Sequence, residues 1–276
     1  MEYRLPVDTR KNIVRLYKSG FSIPELSDAF CCSRTTINRY IISSMGVREA
    51  KTPVKFNPRV KSELGEFIGV FAGDGNVDFD QSKYRYRIRI TLSKNETVYY
   101  ERLSHVSKNL FGKKPFLVTH NNRNCIDLIL VGKPILKILQ HYLDFDLKDK
   151  THTIALKGDI NNYSKVFLSN FIMGLTISDG GVYNRYYGKG YLERKIEFTN
   201  TSRKLAEQYY KIVNNVFGID SHFYIHQPSV SGHSIAYRVA ILSYSNILKF
   251  YNRIGMTEPN RMSVLESIVS SQHIYK

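Results

Sequence analysis

The sequence predicts an α+β protein. A small all-α module comes first, followed by two pseudo-symmetric copies of an α-β-β-α-β-β-α unit whose antiparallel sheets form a saddle. Three observations predict this. Residues 10–42 carry three short helical patterns and no strand signal. A long block then recurs: Leu64–Gly75 and Leu168–Gly180 both end in Asp-Gly, with Asp74 and Asp179 standing 105 positions apart. Behind each block the apolar period passes from 3.6 to 2 and back in the same order.

The first helix is read as Arg10–Lys18, stopped by Ser19-Gly20. The second, Ile23–Phe30, opens on Ser22 as N-cap, with Pro24 and Glu25 in its first turn. The third, Arg34–Ile42, opens on Ser33. Ile13, Leu16, Tyr17, Ile23, Leu26, Phe30, Ile37 and Ile41 recur at helical spacing and are expected to share one core. The short helix, the tight turn and the run S-R-T-T-I-N-R-Y resemble a helix-turn-helix, whose second helix meets base edges in the major groove through its N-terminal residues. That resemblance makes Arg34, Thr35, Thr36, Asn38 and Arg39 the reading face. Two positions depart from the usual pattern. Ser27 stands where a small apolar residue is common, and Cys31 where a turn glycine is common. A plain three-helix packing module is therefore the alternative.

Residues 46–62 are basic, carry Pro53 and Pro58, and lack periodicity. They read as a linker. The expected division is a module over 1–46, a linker over 47–61, a first repeat over 62–158 and a second over 159–276.

In each repeat a short strand is expected after the Asp-Gly, at Val77–Asp80 and Val182–Arg185. An alternating strand follows, Arg85–Leu92 and Lys195–Thr199. Next comes an amphipathic helix ending in Asn109-Leu110-Phe111-Gly112 or Asn215-Val216-Phe217-Gly218, the phenylalanines 106 apart. Strands at Pro115–Thr119 and Cys125–Val131, matched by His222–His226 and Ala236–Leu242, precede helices at Pro134–Tyr142 and Ser245–Arg253.

Composition narrows the function class. The 276 residues hold 40 Lys plus Arg against 24 Asp plus Glu, a formal charge of +16. Such a field draws polyanions and speeds their encounter. Three cysteines, two of them adjacent, make neither a disulfide framework nor a zinc spacing. No apolar stretch is long enough to span a bilayer, and the N-terminus has no secretory pattern, so a soluble intracellular protein, cytoplasmic and without a membrane partner, is expected.

The two blocks read F-I-G-V-F-A-G-D-G and I-M-G-L-T-I-S-D-G. They resemble the paired signature of the LAGLIDADG homing endonucleases, and the resemblance covers roughly residues 62–276. Elementary packing supports it. Gly69 and Gly73 are four apart, as are Gly174 and Ser178. Small residues at that spacing let two helix backbones approach closely. Asp74 and Asp179 then meet at one end of the pair, with the following glycines suited to left-handed caps. Carboxylates there oppose both the helix macrodipole and each other, so a divalent cation is the expected partner.

The resemblance implies a monomeric, site-specific endonuclease that hydrolyses both strands of duplex DNA with Mg²⁺ or Mn²⁺. The metal would be held by Asp74 and Asp179 together with their neighbours Gly73 and Ser178. It also implies basic residues near the metals, for which Lys148 and Lys150 are candidates and Arg261 a weaker counterpart. In the first alternating strand Arg85, Arg87, Arg89 and Thr91 share one face, with Lys83 just before it, and Tyr86, Ile88, Ile90 and Leu92 share the other. Lys195, Glu197 and Thr199 share a face in the second copy. These faces, with Lys83, are the expected DNA surface. Two alternatives use the same scaffold: a DNA-binding regulator without cleavage, and a maturase acting on structured RNA.

Overall fold

The computed structural model describes residues 5–45, 54–80, 85–120, 122–187, 191–227 and 234–271. The chain divides into two compact units, Met1–Lys55 and Phe56–Lys276. Part of the predicted linker, 46–53, lies outside the described residues. No helix among the described residues is long and apolar enough to cross a membrane.

In the first unit three helices form, α1 (Val7–Lys18), α2 (Ile23–Ala29) and α3 (Arg34–Met45). Ser22 and Glu25 close a capping box at the start of α2. The Ser33 hydroxyl accepts the Thr36 amide at 3.1 Å. Ile13, Tyr17, Leu26, Ile37 and Ile41 are buried together, with Leu16, Ile23 and Phe30 packed around them. The two departures in the turn have physical accounts. Cys31 takes the left-handed conformation (φ 50°) that a glycine adopts without cost. The Ser27 hydroxyl donates to the Cys32 carbonyl at 2.5 Å and ties the turn back to α2.

The second unit opens earlier than its periodicity suggests. Phe56 stacks on Phe111, and the Asn57 amide donates to the Leu110 carbonyl. Then follow α4 (Lys61–Asp74), β1 (Gly75–Asp80), β2 (Arg85–Ser93), α5 (Thr97–Phe111), β3 (Phe116–Thr119), β4 (Cys125–Val131) and α6 (Lys133–Tyr142). A small connection holds β5 (Leu143–Asp144), α7 (Lys150–Thr153) and β6 (Ala155–Leu156). The repeat resumes with α8 (Lys165–Asp179), β7 (Gly180–Tyr187), β8 (Tyr191–Asn200), α9 (Arg203–Lys211) with a π turn to Val216, β9 (His222–His226), β10 (Ala236–Ile241) and α10 (Tyr244–Arg253). A last helix, α11 (Pro259–Ser270), follows the last element expected of the second repeat; Glu258, whose carboxylate accepts from the Asn260 and Arg261 amides, starts it.

Both large sheets are antiparallel with the same order, β1-β2-β4-β3 and β7-β8-β10-β9. Each buries one face, shown by Ile88, Ile90 and Leu92 in β2 and Ile196 and Phe198 in β8. Gly112 (φ 67°) and Gly218 (φ 57°) make the left-handed turns after the long helices. The glycines behind the aspartates do not. Gly75 and Gly180 are extended, so the expected left-handed caps are absent and the chain runs from helix straight into strand. Glycine is required there for space. A Cβ on Gly75 would lie 2.3 Å from the Phe71 carbonyl oxygen, and one on Gly180 2.5 Å from that of Glu197.

Helices α4 and α8 pack backbone to backbone. A Cβ on Gly65 would meet the Phe167 carbonyl oxygen at 2.3 Å, and one on Gly69 that of Phe171 at 2.3 Å. The reciprocal position, Gly174, would strike the Glu66 carbonyl oxygen at 2.6 Å. Beside this contact the wholly buried Glu66 accepts a two-pronged pair from Arg102 (2.8 and 2.7 Å) and a hydrogen bond from Thr257 (2.8 Å). A carboxylate with every lobe engaged offsets its desolvation, and removing one partner would leave a buried charge. This one joins α4 and α5 to the segment ahead of α11.

Replacing Gly69 with Ala forces a methyl group against fixed backbone rather than a movable side chain. The expected outcome is a loss of roughly 1–3 kcal/mol in unfolding free energy. Urea titration of both proteins checks it, and equal stability would refute the backbone contact.

Candidate active site and nucleic-acid surface

The helix pair brings its two last residues, Asp74 and Asp179, to one end. A Cβ on Gly73 would lie 2.1 Å from the Ser178 hydroxyl and 3.0 Å from the Asp179 carboxylate carbon. The second helix end is thus pressed onto the first. Burial, then the charge of Asp179, then that of Glu96 push the Asp74 carboxyl from its ordinary 3.8 up to about 7. Burial also raises Asp179, while a hydrogen bond from the Asn200 amide (2.6 Å) and the charge of Lys150 pull it back. Two carboxylates kept close, half-buried and against the helix dipole form a cost that the fold alone does not explain.

Lys150 reaches this end from α7. Its ammonium donates to the Ala72 and Gly73 carbonyls at 2.8 and 3.0 Å and lies over the Phe71 ring. It thereby satisfies the open C-terminus of α4. Burial lowers its pKa to about 8, against the opposing charges of Asp179 and Asp74. A cleft of about 190 Å³ beside them is lined by Gly73, Lys150, Asp179, Thr199 and Asn200 among others.

The other predicted site residues fall differently. Lys148 is exposed on the preceding turn, its amide bonded to Asp146, and it is not brought to the aspartates. Arg261 lies near enough to favour the charged form of Asp74, yet its guanidinium is held by Glu96 (2.9 Å) and Glu258 (3.3 Å). The Ser178 hydroxyl donates into its own helix, to the Gly174 carbonyl at 3.0 Å. The Gly73 carbonyl is already taken by Lys150. Asn200 and Glu96 escaped sequence reasoning. Asn200 carried one legible sign: a polar residue ending a strand at the place where Leu92, its register equivalent, is apolar.

Arg85, Arg87, Arg89 and Thr91 point away from the buried face of β2. They are not equivalent. Arg89 is paired with Asp78 and lies 3.5 Å from Asp127. Thr91 donates to Asp127 at 2.7 Å, and His120 is bonded to the same carboxylate at 2.9 Å. Burial works against the Asp127 charge, but His120, Thr91 and Arg89 outweigh it and hold the carboxyl below its usual range. The Arg87 Nε is buried with no hydrogen-bond partner, and so is that of Arg238, which lies opposite Thr199 in β8. Lys195 is bracketed by Glu193 (3.2 Å) and Glu197 (3.0 Å). Lys83 lies outside the described residues. In the first unit Arg34, Thr35 and Arg39 are exposed and Asn38 partly so. The Thr36 hydroxyl is turned back to Ser33 at 2.9 Å.

Residues 167–255 match the family model of the LAGLIDADG-like domain. The fold is similar to that of the homing endonuclease I-DmoI. Against I-DmoI in complex with DNA and Ca, identity is 18%, with 75% of this chain and 98% of that chain covered and a TM-score of 0.53. A variant of I-DmoI in complex with its target DNA in the presence of Mg gives 18% identity, 72% and 98% coverage and 0.51. Full-length DUF199/WhiA from Thermatoga maritima gives 16% identity, 77% and 61% coverage and 0.51. At these identities the likeness is one of fold. No curated protein sequence matches significantly.

The folded chain keeps a proton on Asp74 at pH values where the unfolded chain has lost it. Its contribution to stability is therefore fully present near pH 4 and declines as pH rises toward 7. Without divalent metal, Asp74→Asn is expected to be the more stable protein at about pH 8. The gain should be on the order of 2 kcal/mol, discounted for the solvent that reaches the half-buried carboxyl. Below about pH 4 the two should nearly coincide. Calorimetry at both values checks this, and parallel pH profiles would contradict it.

Proposed function

On the premise that this chain carries a LAGLIDADG-like domain over residues 167–255, we propose that it is a divalent-metal-dependent endonuclease. It hydrolyses both strands of a specific duplex DNA site, acting as a single chain. The observation that carries the reading is the pair Asp74 and Asp179, held together at the ends of two close-packed helices at the expense of their own ionisation. Among the described residues no three His, Cys, Asp or Glu side chains converge. Two carboxylates fit a hard cation that retains water and takes substrate oxygens, as Mg²⁺ does, rather than an all-protein cage.

Asp74 and Asp179 would hold the cation. Bound there, Mg²⁺ or Mn²⁺ supplies Lewis acidity to a phosphoryl oxygen and lowers the pKa of the attacking water. Asn200 fixes the direction of the Asp179 carboxylate through its amide. Lys150 places a positive charge over the ends of the two helices, where negative charge grows on the phosphate in the transition state. Arg261 screens Asp74 from a second layer and holds Glu96 in place. The outward faces of the two sheets grip the duplex, with Arg87 on β2 and Arg238 on β10 among the half-buried basic side chains there.

A second reading, sequence-specific DNA binding without cleavage, is favoured by the three-helix unit with its exposed Arg34, Thr35 and Arg39. Incubating the full chain with a randomised duplex library, with and without Mg²⁺, separates the two. Site-specific cutting only with Mg²⁺ is expected. Asp74→Asn or Asp179→Asn should lower double-strand cutting roughly 100-fold or more and leave binding nearly unchanged. Full cutting by either variant would remove the active-site assignment, and binding without cutting would favour the second reading.

The first unit is proposed to hold DNA flanking the cut site, because tethering raises the effective concentration of a second contact. Removing residues 1–52 should leave cutting intact, weaken binding and shorten the protected region. An unchanged footprint would assign the unit another task.

A further inference from the structure

The two outward sheet faces differ in chemistry along their far edges. Strand order carries each sheet from β1 or β7, which begin at the aspartates, to β3 or β9 at the opposite edge. In the first sheet Arg89 lies opposite Ile129, which lies opposite Phe116. One step along, Arg87 is opposite Val131. On the other side Thr91 is opposite Asp127, which is opposite Val118. Paired residues share a face, so Phe116, Val118, Ile129 and Val131 form an apolar strip continuous with the arginines. Its outward facing follows from its pairing with the arginine face of β2; the edge strand β3 is exposed on both sides, with Phe116 at 67% and Leu117, on the reverse face, at 48%. In the second sheet the same register positions hold other residues. Ala240 stands for Ile129, His222 for Phe116, Arg238 for Asp127 and Tyr224 for Val118. The second edge can donate and accept hydrogen bonds, whereas the first can do little more than shed water.

An exposed apolar strip on a basic sheet face is unfavourable in water, offers phosphate no hydrogen bond, and marks a place where an apolar group of a partner would be received. Among the groups a duplex presents to a strand in its major groove, one is apolar: the 5-methyl of thymine. We propose that Phe116, Val118, Ile129 and Val131 read thymine methyl groups in the outer part of the half-site that the first sheet covers. Asp127 supports this assignment. It takes up Thr91 and Arg89 beside the strip, lowers the attraction for phosphate there, and leaves discrimination to shape and methyl contact. The target is then asymmetric. One outer arm is rich in thymine, and the other is read by His222, Tyr224 and Arg238. The inference rests on reading residues 56–276 as a duplex-DNA binder.

The test uses the full chain in Ca²⁺ and a randomised duplex library. Positions whose preference relaxes in Arg87→Ala mark the first-sheet arm. Thymines are expected just outside those positions. Replacing each with uracil removes only the methyl group and should weaken binding about fourfold per position. Uracil in the other arm should have no such effect. Phe116→Ala with Val118→Ala, both at exposed sites, should abolish the thymine–uracil difference while Arg87→Ala keeps it. If the chain selects a site but no thymine falls there, the proposal is overturned and the endonuclease reading stands. The same holds if thymine and uracil bind alike, or if the double variant still distinguishes them. If no duplex is selected, both fall.

Discussion

The contact on which the rest depends is the backbone-to-backbone meeting of α4 and α8. Gly65, Gly69 and Gly73 on one helix face Gly174 and Ser178 on the other, and the room left for a Cβ is nowhere more than about that of a hydrogen atom. Close approach of this kind carries little apolar surface, so its value lies in position. It sets side by side two helices whose equivalent residues are 105 apart in sequence. Once the helices are so placed, Asp74 and Asp179 must share one volume, each following strand must start at that point, and each sheet must fan outward from it.

This placement creates a local cost that the surroundings contain but do not remove. Lys150 caps the carbonyls of α4, and Asn200 donates to Asp179. The fully engaged Glu66, bonded to Arg102 and Thr257, locks the helix interface one turn away from the start of α4. Asp74 is still pushed up to about 7. A protein selected for stability alone would relieve that pressure with one amide. That unrelieved pressure on the aspartate pair is the observation from which the cation site is proposed.

The duplicated unit is symmetric in topology and asymmetric in chemistry. Leu92 and Asn200 occupy the same register position, yet only Asn200 can orient an aspartate. Lys150 and Arg261 follow corresponding helices, but Lys150 sits on the helix end while Arg261 is drawn aside by Glu96 and Glu258. Two halves in one chain are free to diverge, because each copy of the repeat has its own sequence. A dimer of identical chains would have to present the same residues in both halves.

The sequence by itself determined the architecture. The repeat of Asp-Gly blocks, the small residues four apart and the alternation in Arg85–Leu92 are local patterns, and local patterns decide helix, strand and facing. It also identified the aspartate pair, because a duplication displays its invariant chemistry in one dimension. The tertiary structure alone decided which basic residue lies beside the pair. Lys148 and Lys150 are two apart in a short turn, and only the path of α7 sends one onto Gly73 and the other into solvent. It alone decided that Gly75 and Gly180 are there for space and not for a left-handed turn, since the atoms that exclude a Cβ include Glu197, far along the chain. Likewise Asp127, which reads as an interruption in an apolar strand, proved to be the hub of Arg89, Thr91 and His120. Register across strands sets such partnerships, and register is a property of the folded sheet: no single strand carries it.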